Sequence, residues 1–237
     1  MKDKRIVVNP FRMMSPKLDS EALKIEELHA RPVSESFGLD EGLLVMLSKL
    51  LEMTRLIHEG FIKNCPEEIN ICDKLASEVH EQEKMLTNNI ACSISVPKEI
   101  CRAFILFPGH MERVGDFLES ILNCCRIRCH EGIDFDDRAN DEVNQMFKGI
   151  QDVMINFRDS IITPNKHLLE HVISSATELE EKCQGWELAH VDRLLAGATA
   201  PKSSSLYLDM LDSTQSASRH LKEMAQKLLG LISMEAA

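Results

Sequence analysis

The sequence predicts an all-α protein built as a tandem repeat of two antiparallel three-helix bundles, with six long helices. Three observations lead there. The 237 residues are dominated by Leu, Met, Glu and Lys, with one Trp, one Tyr and nine Phe and few alternating β-branched runs, which is a helix-forming composition. Apolar residues recur at three- and four-residue spacing through long segments. A shift of 103 to 104 residues lays Leu47 on Ile150, Leu75 on Leu179, Ile90 on Leu194 and Phe104 on Tyr207, so the chain repeats internally.

Residues 1–38 are interrupted by Pro10, Pro16, Pro32 and Gly38 and read as an N-terminal arm or linker, with one short helical candidate from Ser20 to Ala30. The first repeat is placed at residues 39–130. Its first helix carries Leu43, Leu47, Leu50, Thr54, Ile57 and Phe61 on one stripe and stops at Asn64-Cys65-Pro66, since proline disfavours helix in the residue before it. Cys72, Leu75, Val79, Leu86 and Ile90 make the seam of a second helix, closed between Ser93 and Pro97. The third carries Phe104, Phe107, Met111, Val114, Leu118, Ile121 and Cys125 and runs to about Cys129. Pro108-Gly109 falls inside that seam and predicts a kink, because an interior proline removes one hydrogen bond and crowds the preceding turn.

The linker His130–Arg138 leads into the second repeat, placed at residues 137–232. Met146, Ile150, Val153, Met154, Phe157 and Ile161 mark its first helix. Pro164 is expected at the first position of the next helix, which carries Leu169, Val172, Ala176, Leu179, Cys183, Trp186 and Leu194. Gly197 to Pro201 is the break. The last helix carries Tyr207, Leu211, Thr214, Ser218, Leu221, Ala225, Leu228 and Ile232.

Charge and composition exclude several functions. The net charge is −11 and the basic residues are scattered, with no basic patch interleaved with aromatics, so nucleic acid is not an expected partner. No run approaches the ~18 apolar residues of a membrane span, and MKDKRIVVNPFRMMS lacks the apolar core of a signal peptide. The expectation is a soluble cytoplasmic protein without direct membrane insertion. Its acidic surface suits the Lys/Arg-rich cytoplasmic loops of an integral membrane protein. Eight cysteines without a compact disulfide spacing read as reduced thiols used mostly as small core residues.

The stretch that carries chemistry is FPGHMERVGDFLESI, Phe107 to Ile121. Glu112, Asp116 and Glu119 fall four and three residues apart, on one stripe flanking the apolar seam. Like charges so placed repel by a few tenths of a kcal/mol per pair, so the stripe is either a solvated face or a metal site. On the second helix His80, Glu83 and Thr87 share a flank, with Glu83 nearest the seam. All-oxygen ligands would favour magnesium, calcium or manganese, and a nearby imidazole shifts the preference toward iron or zinc. His110 is turned away from Glu112 by its two-residue offset and reads as a packing or capping residue.

MERVGDFLESI resembles the PhoU pattern of Glu-Arg-Ile/Val-Gly-Asp followed by an apolar helix, and HVDRLLAGATAPKSSSLYLDML (190–211) resembles the matching stretch of that family's second repeat. The likeness spans about residues 39–232 and includes the PhoU-like cytosolic domains of bacterial sodium/phosphate cotransporters. It implies paired three-helix bundles that hold iron or zinc clusters, or other divalent or trivalent ions, on Glu/Asp-x-x-x-Asp motifs. It also implies a regulatory protein of phosphate uptake or phosphate signalling rather than an enzyme. Such a protein would dock on a phosphate transporter or its signalling kinase at the cytoplasmic face, peripheral to the inner membrane, with homodimerisation left open.

Residue by residue, the resemblance places metal ligands at Glu112 and Asp116, and at Glu83 with Thr87 where the second acid is expected; Glu119 and His80 flank them. The repeat shift puts the second motif at Gln215 and Arg219, which are not acids, so that half is expected to have lost its site. A metal-free interaction scaffold is the alternative.

Two other metal arrangements are weaker. Cys124, Cys125, Cys129 and His130 lack a CxxC pair, and Cys125 lies in the seam, so core packing is favoured. His167 and His171 share a face without a third ligand. A di-iron enzyme would use Glu-x-x-His pairs, of which Glu187/His190 and Glu26/His29 are the candidates. His190 falls in the seam beside Trp186 and reads instead as a satisfied core histidine.

Overall fold

The computed structural model describes residues 39–64, 66–93, 98–163 and 165–235. The N-terminal arm, with its Ser20–Ala30 candidate, lies outside the described residues. Among the described residues seven helices follow one another: α1 (Leu39–Lys63), α2 (Pro66–Cys92), α3 (Lys98–Phe104), α4 (Phe107–Glu131), α5 (Asp137–Ile162), α6 (Lys166–Leu195) and α7 (Pro201–Glu235). Among the described residues there is no strand, and no helix is long and apolar enough to cross a membrane.

The predicted third helix is divided. Its apolar seam is continuous, with Phe104 and Phe107 in ring contact at 5.0 Å, but the backbone turns at Ile105-Leu106 and Pro108 lies in the first turn of α4. There its missing N–H has no intrahelical partner to lose, so a new helix start replaces the expected kink. The expected start of α6 at Pro164 falls on a residue outside the described ones, two positions before the observed start. The helix begins at Lys166, and the Asn165 side chain caps it by accepting from His167 N at 2.8 Å and Leu168 N at 3.4 Å. An amide that satisfies two orphan N–H groups is the stronger start signal.

At the other connection, α4 ends on Gly132 in the left-handed conformation (φ 61°), where Ile133 N–H reaches Arg128 O at 2.9 Å. Asp136 then caps α5 by accepting from Ala139 N at 2.7 Å.

Helices α1, α2 and α4 pack as one three-helix bundle and α5, α6 and α7 as the other. The two are joined lengthwise, α4 along α7 and α1 along α5. Nearly every seam residue named from the sequence is buried; Leu75, Trp186, Leu194, Leu228 and Ile232 are half-buried. The buried apolar residues of both repeats form one cluster. Phe147 of α5 shows how: it stacks on His58 at 4.7 Å and meets Phe61 at 6.0 Å, both on α1.

Within the second bundle α5 and α6 approach closely at Gly149, where a Cβ would lie 2.7 Å from Leu179 Cδ1. Gly149→Val is therefore expected to lower stability by about 1–3 kcal/mol through overpacking. Urea denaturation checks this, and an unchanged midpoint would mean that Leu179 has room to turn away.

Candidate metal centre

Helices α2 and α4 run antiparallel and leave a cleft lined by Asp73, Ser77 and His80 on one side and Glu112, Asp116 and Glu119 on the other. The seam of α4 fixes this placement. With Met111, Val114 and Leu118 fully buried, the acids between them are turned to the bundle's edge. Glu112 is half-buried, and Asp116, Glu119 and His80 are exposed. The His80 imidazole is hydrogen-bonded through Nδ1 to the Glu112 carboxylate, and Arg126 closes one end by pairing with Asp73 at 2.6 Å.

Of the predicted ligands, the structure brings His80, Glu112, Asp116 and Glu119 to this cleft. Glu83 does not line it: its carboxylate accepts from the Thr87 hydroxyl at 2.8 Å on the same helix. The antiparallel register sets this difference, since it sets His80 opposite Glu112 and leaves Glu83 a turn further along α2.

The electrostatics of the cleft suit a cation. Partial desolvation at the cleft wall, and then the Glu112 charge, hold the Asp116 carboxyl above its ordinary range; partial desolvation, and then Asp116 and Asp73, do the same to Glu119. A carboxyl raised in the folded state favours folding below its unfolded pKa, and that contribution is lost as pH rises through the folded value. The metal-free cleft is thus under repulsion at neutral pH. Asp116→Asn, which removes two like-charge neighbours at helical spacing, is expected to raise stability by about 0.2–0.5 kcal/mol per pair. The gain should vanish when melts are repeated at acidic pH, and a destabilised variant at neutral pH would contradict this reading.

The second bundle has a different solution at the corresponding place. Gln215 is buried, Arg219 is exposed, and Lys222 stands where the repeat puts Glu119. Its ammonium pairs at 2.6 Å with Glu180, the counterpart of Ala76 in the first bundle. The protein's own cation therefore sits in this half.

Elsewhere, Cys124 and Cys125 are buried, with thiols pushed up to about 11 and about 12 by burial first, and Cys129 Sγ faces Asn64 O at 3.5 Å. These are packing thiols. His167 and His171 are exposed. His190 is fully buried and bonded through Nε2 to Ser204 Oγ at 2.8 Å, while Glu187 is exposed, so the two do not converge as a di-iron pair.

Two constellations were not read from the sequence. One is buried: Glu142 of α5 accepts from Arg193 at 2.8 and 3.3 Å, from the Tyr207 hydroxyl at 2.5 Å and from Arg138 at 3.0 Å. Its signal was available, since Glu142 lies four residues before Met146 on the apolar stripe. The other joins α4 to α7. Among the described residues, only His110, His220 and Glu223 bring three ligand atoms within 4.8 Å of one another.

The sequence matches no protein-family model and no curated protein. The fold does match solved structures. The phosphate transport system regulatory protein PhoU from Streptococcus pneumoniae superposes with a TM-score of 0.70 at 10% identity, over 89% of this chain and 95% of that one. PhoU from Pseudomonas aeruginosa superposes with a TM-score of 0.76 at 13% identity, over 85% and 98%. At such identities the likeness concerns the fold, and the chain has the PhoU fold across both bundles.

Proposed function

We propose that this chain is a PhoU-like accessory protein that regulates phosphate uptake or phosphate signalling, acting by docking rather than by catalysis. The observation that carries the proposal is the near end-to-end match to two solved PhoU proteins, which leaves little of either fold unpaired. The acidic surface, at a net charge of −11, suits the basic cytoplasmic loops of a phosphate transporter or the kinase that signals with it. Pull-down with the chain from membranes of phosphate-replete cells is expected to recover a phosphate-transport component. Recovery of none would overturn the assignment while leaving the fold as described.

Within this reading, a divalent or trivalent ion, iron or zinc in the first place and magnesium or manganese as the oxygen-only alternatives, is assigned to Glu112, Asp116 and Glu119, with His80 beside them. The donor types fit: three carboxylates line one wall of the cleft, and an imidazole from the facing helix stands against one of them. The ion would supply the positive charge that the acids lack and tie α2 to α4. Protein purified without chelator should carry metal that Glu112→Ala/Asp116→Ala lacks, by elemental analysis; equal content in the two would sink the assignment.

The alternative, a metal-free docking scaffold, is favoured by one observation. His80 already hydrogen-bonds Glu112, so one carboxylate of the cleft has a partner from within the protein, as Glu180 has in Lys222 in the other half.

A further inference from the structure

The seam between α4 and α7 holds a second set of ligands, separate from the acidic cleft. His110 of α4 faces His220 and Glu223 of α7, with the two Nδ1 atoms 2.9 Å apart and Glu223 Oε2 3.6 Å from His110 Nδ1. We infer that His110, His220 and Glu223 form a mononuclear site for a divalent transition metal ion of the zinc type, clamping the two halves of the molecule together. The inference does not rest on the regulatory reading above.

Geometry is the first support. A tetrahedral ion with bonds of about 2.0–2.1 Å spaces its ligand atoms by roughly 3.3 Å, and the observed separations lie on either side of that. His220 and Glu223, three apart on α7, project from one face, and the third ligand arrives from the other bundle. Phe117 stacks on His220 at 5.8 Å and holds its ring. Two imidazoles and one carboxylate select a borderline transition ion over magnesium or calcium. The Glu223 side is open to solvent, its side chain being 43% exposed, so water has access to a fourth position.

Protonation is the second support. Lys227 Nζ donates to His110 Nε2 at 2.9 Å, so the His110 proton sits on Nδ1 and is donated to a bare His220 Nδ1. Lys227 and Arg219 of α7 and Arg113 of α4 bring positive charge to the pair, against the single Glu223 carboxylate. Binding requires His110 to move its proton from Nδ1 to Nε2 and Lys227 to turn out to water. His220 already presents its lone pair, and no proton is gained or lost overall. The repeat places Ser213 at the position of His110 and Phe117 at that of His220, so the symmetry-related point on the seam has no such ligands.

The test is Co(II) titration of the full chain without a histidine tag, read by ligand-field absorption and by displacement with Zn(II). One equivalent is expected at this site, counted in Glu112→Gln/Asp116→Asn so that the acidic cleft does not contribute, with an imidazole–carboxylate spectrum and no thiolate charge-transfer band. The spectrum should be retained in Glu112→Gln/Asp116→Asn, weakened about tenfold or more in Glu223→Gln, and lost in His220→Gln. Glu223 is exposed enough that its variant should fold even if the histidine variant does not. Lys227→Met removes the competing donor and is expected to tighten binding several-fold. Absence of the band in the unaltered chain, a thiolate band in its place, or a band indifferent to Glu223→Gln would overturn the site.

Discussion

Glu142→Ala is expected to destabilise the protein by about 3–5 kcal/mol, the range for removing one partner of a buried charged pair. For a chain of this size that is a fall of roughly 6–20 °C in the unfolding midpoint. Glu142 and Arg193 have side chains only 5% and 14% exposed, and the guanidinium holds the carboxylate with two nitrogens. Truncation leaves that guanidinium and the Tyr207 hydroxyl short of their acceptor in a place water cannot easily reach.

The pH dependence gives an independent check. Burial alone would raise the Glu142 carboxyl, but hydrogen bonds from Arg193, Tyr207 and Arg138 hold it below the ordinary value of 4.5. A depressed carboxyl contributes stability above its unfolded pKa, and that contribution is lost as pH falls through the folded value. The unaltered protein should therefore lose stability on acidification below about pH 4.5 more steeply than Glu142→Ala does. Parallel acid limbs, or a loss below about 1 kcal/mol at neutral pH, would mean that the network contributes little.

Phe147→Ala is expected to cost about 3–5 kcal/mol as a large-to-small change in a closed core. The more informative outcome is the shape of the transition. Phe147 belongs to the second repeat but packs on His58 and Phe61 of the first, and the buried clusters of the two repeats are continuous. Calorimetry should show one transition, moved as a whole. Two transitions, with only one displaced, would show that the halves fold separately despite the shared core.

The helical seams were legible because period alone reveals them: Leu43 to Phe61 and Met146 to Ile161 are buried as their spacing predicts. The repeat was legible for the same reason. Local competition was harder to read. Pro108 was expected to kink a helix and Pro164 to open one, but where a helix starts depends on neighbours such as Asn165, whose side chain takes the cap.

Register between helices was not legible at all. A single helix shows that Glu83 and His80 share a flank, but only the packed antiparallel pair shows that His80 meets Glu112 while Glu83 turns to Thr87. His110 was assessed against residues of its own helix, and its partners lie on α7, more than a hundred residues away along the chain.

The lengthwise joining of α4 to α7 and α1 to α5 also bears on how such a chain could have originated. A single three-helix repeat, separated from its twin, would present the flanks of its first and third helices bare to water, with residues such as Phe61 and Phe117 uncovered. The simplest cover for such a unit is another copy of itself, placed as the second repeat is now. On this view the chain is a homodimer made permanent by duplication, and the short segment after Gly132 replaces a concentration-dependent equilibrium with a tether. Tethered copies need not match, and here one half carries Glu119 where the other carries Lys222.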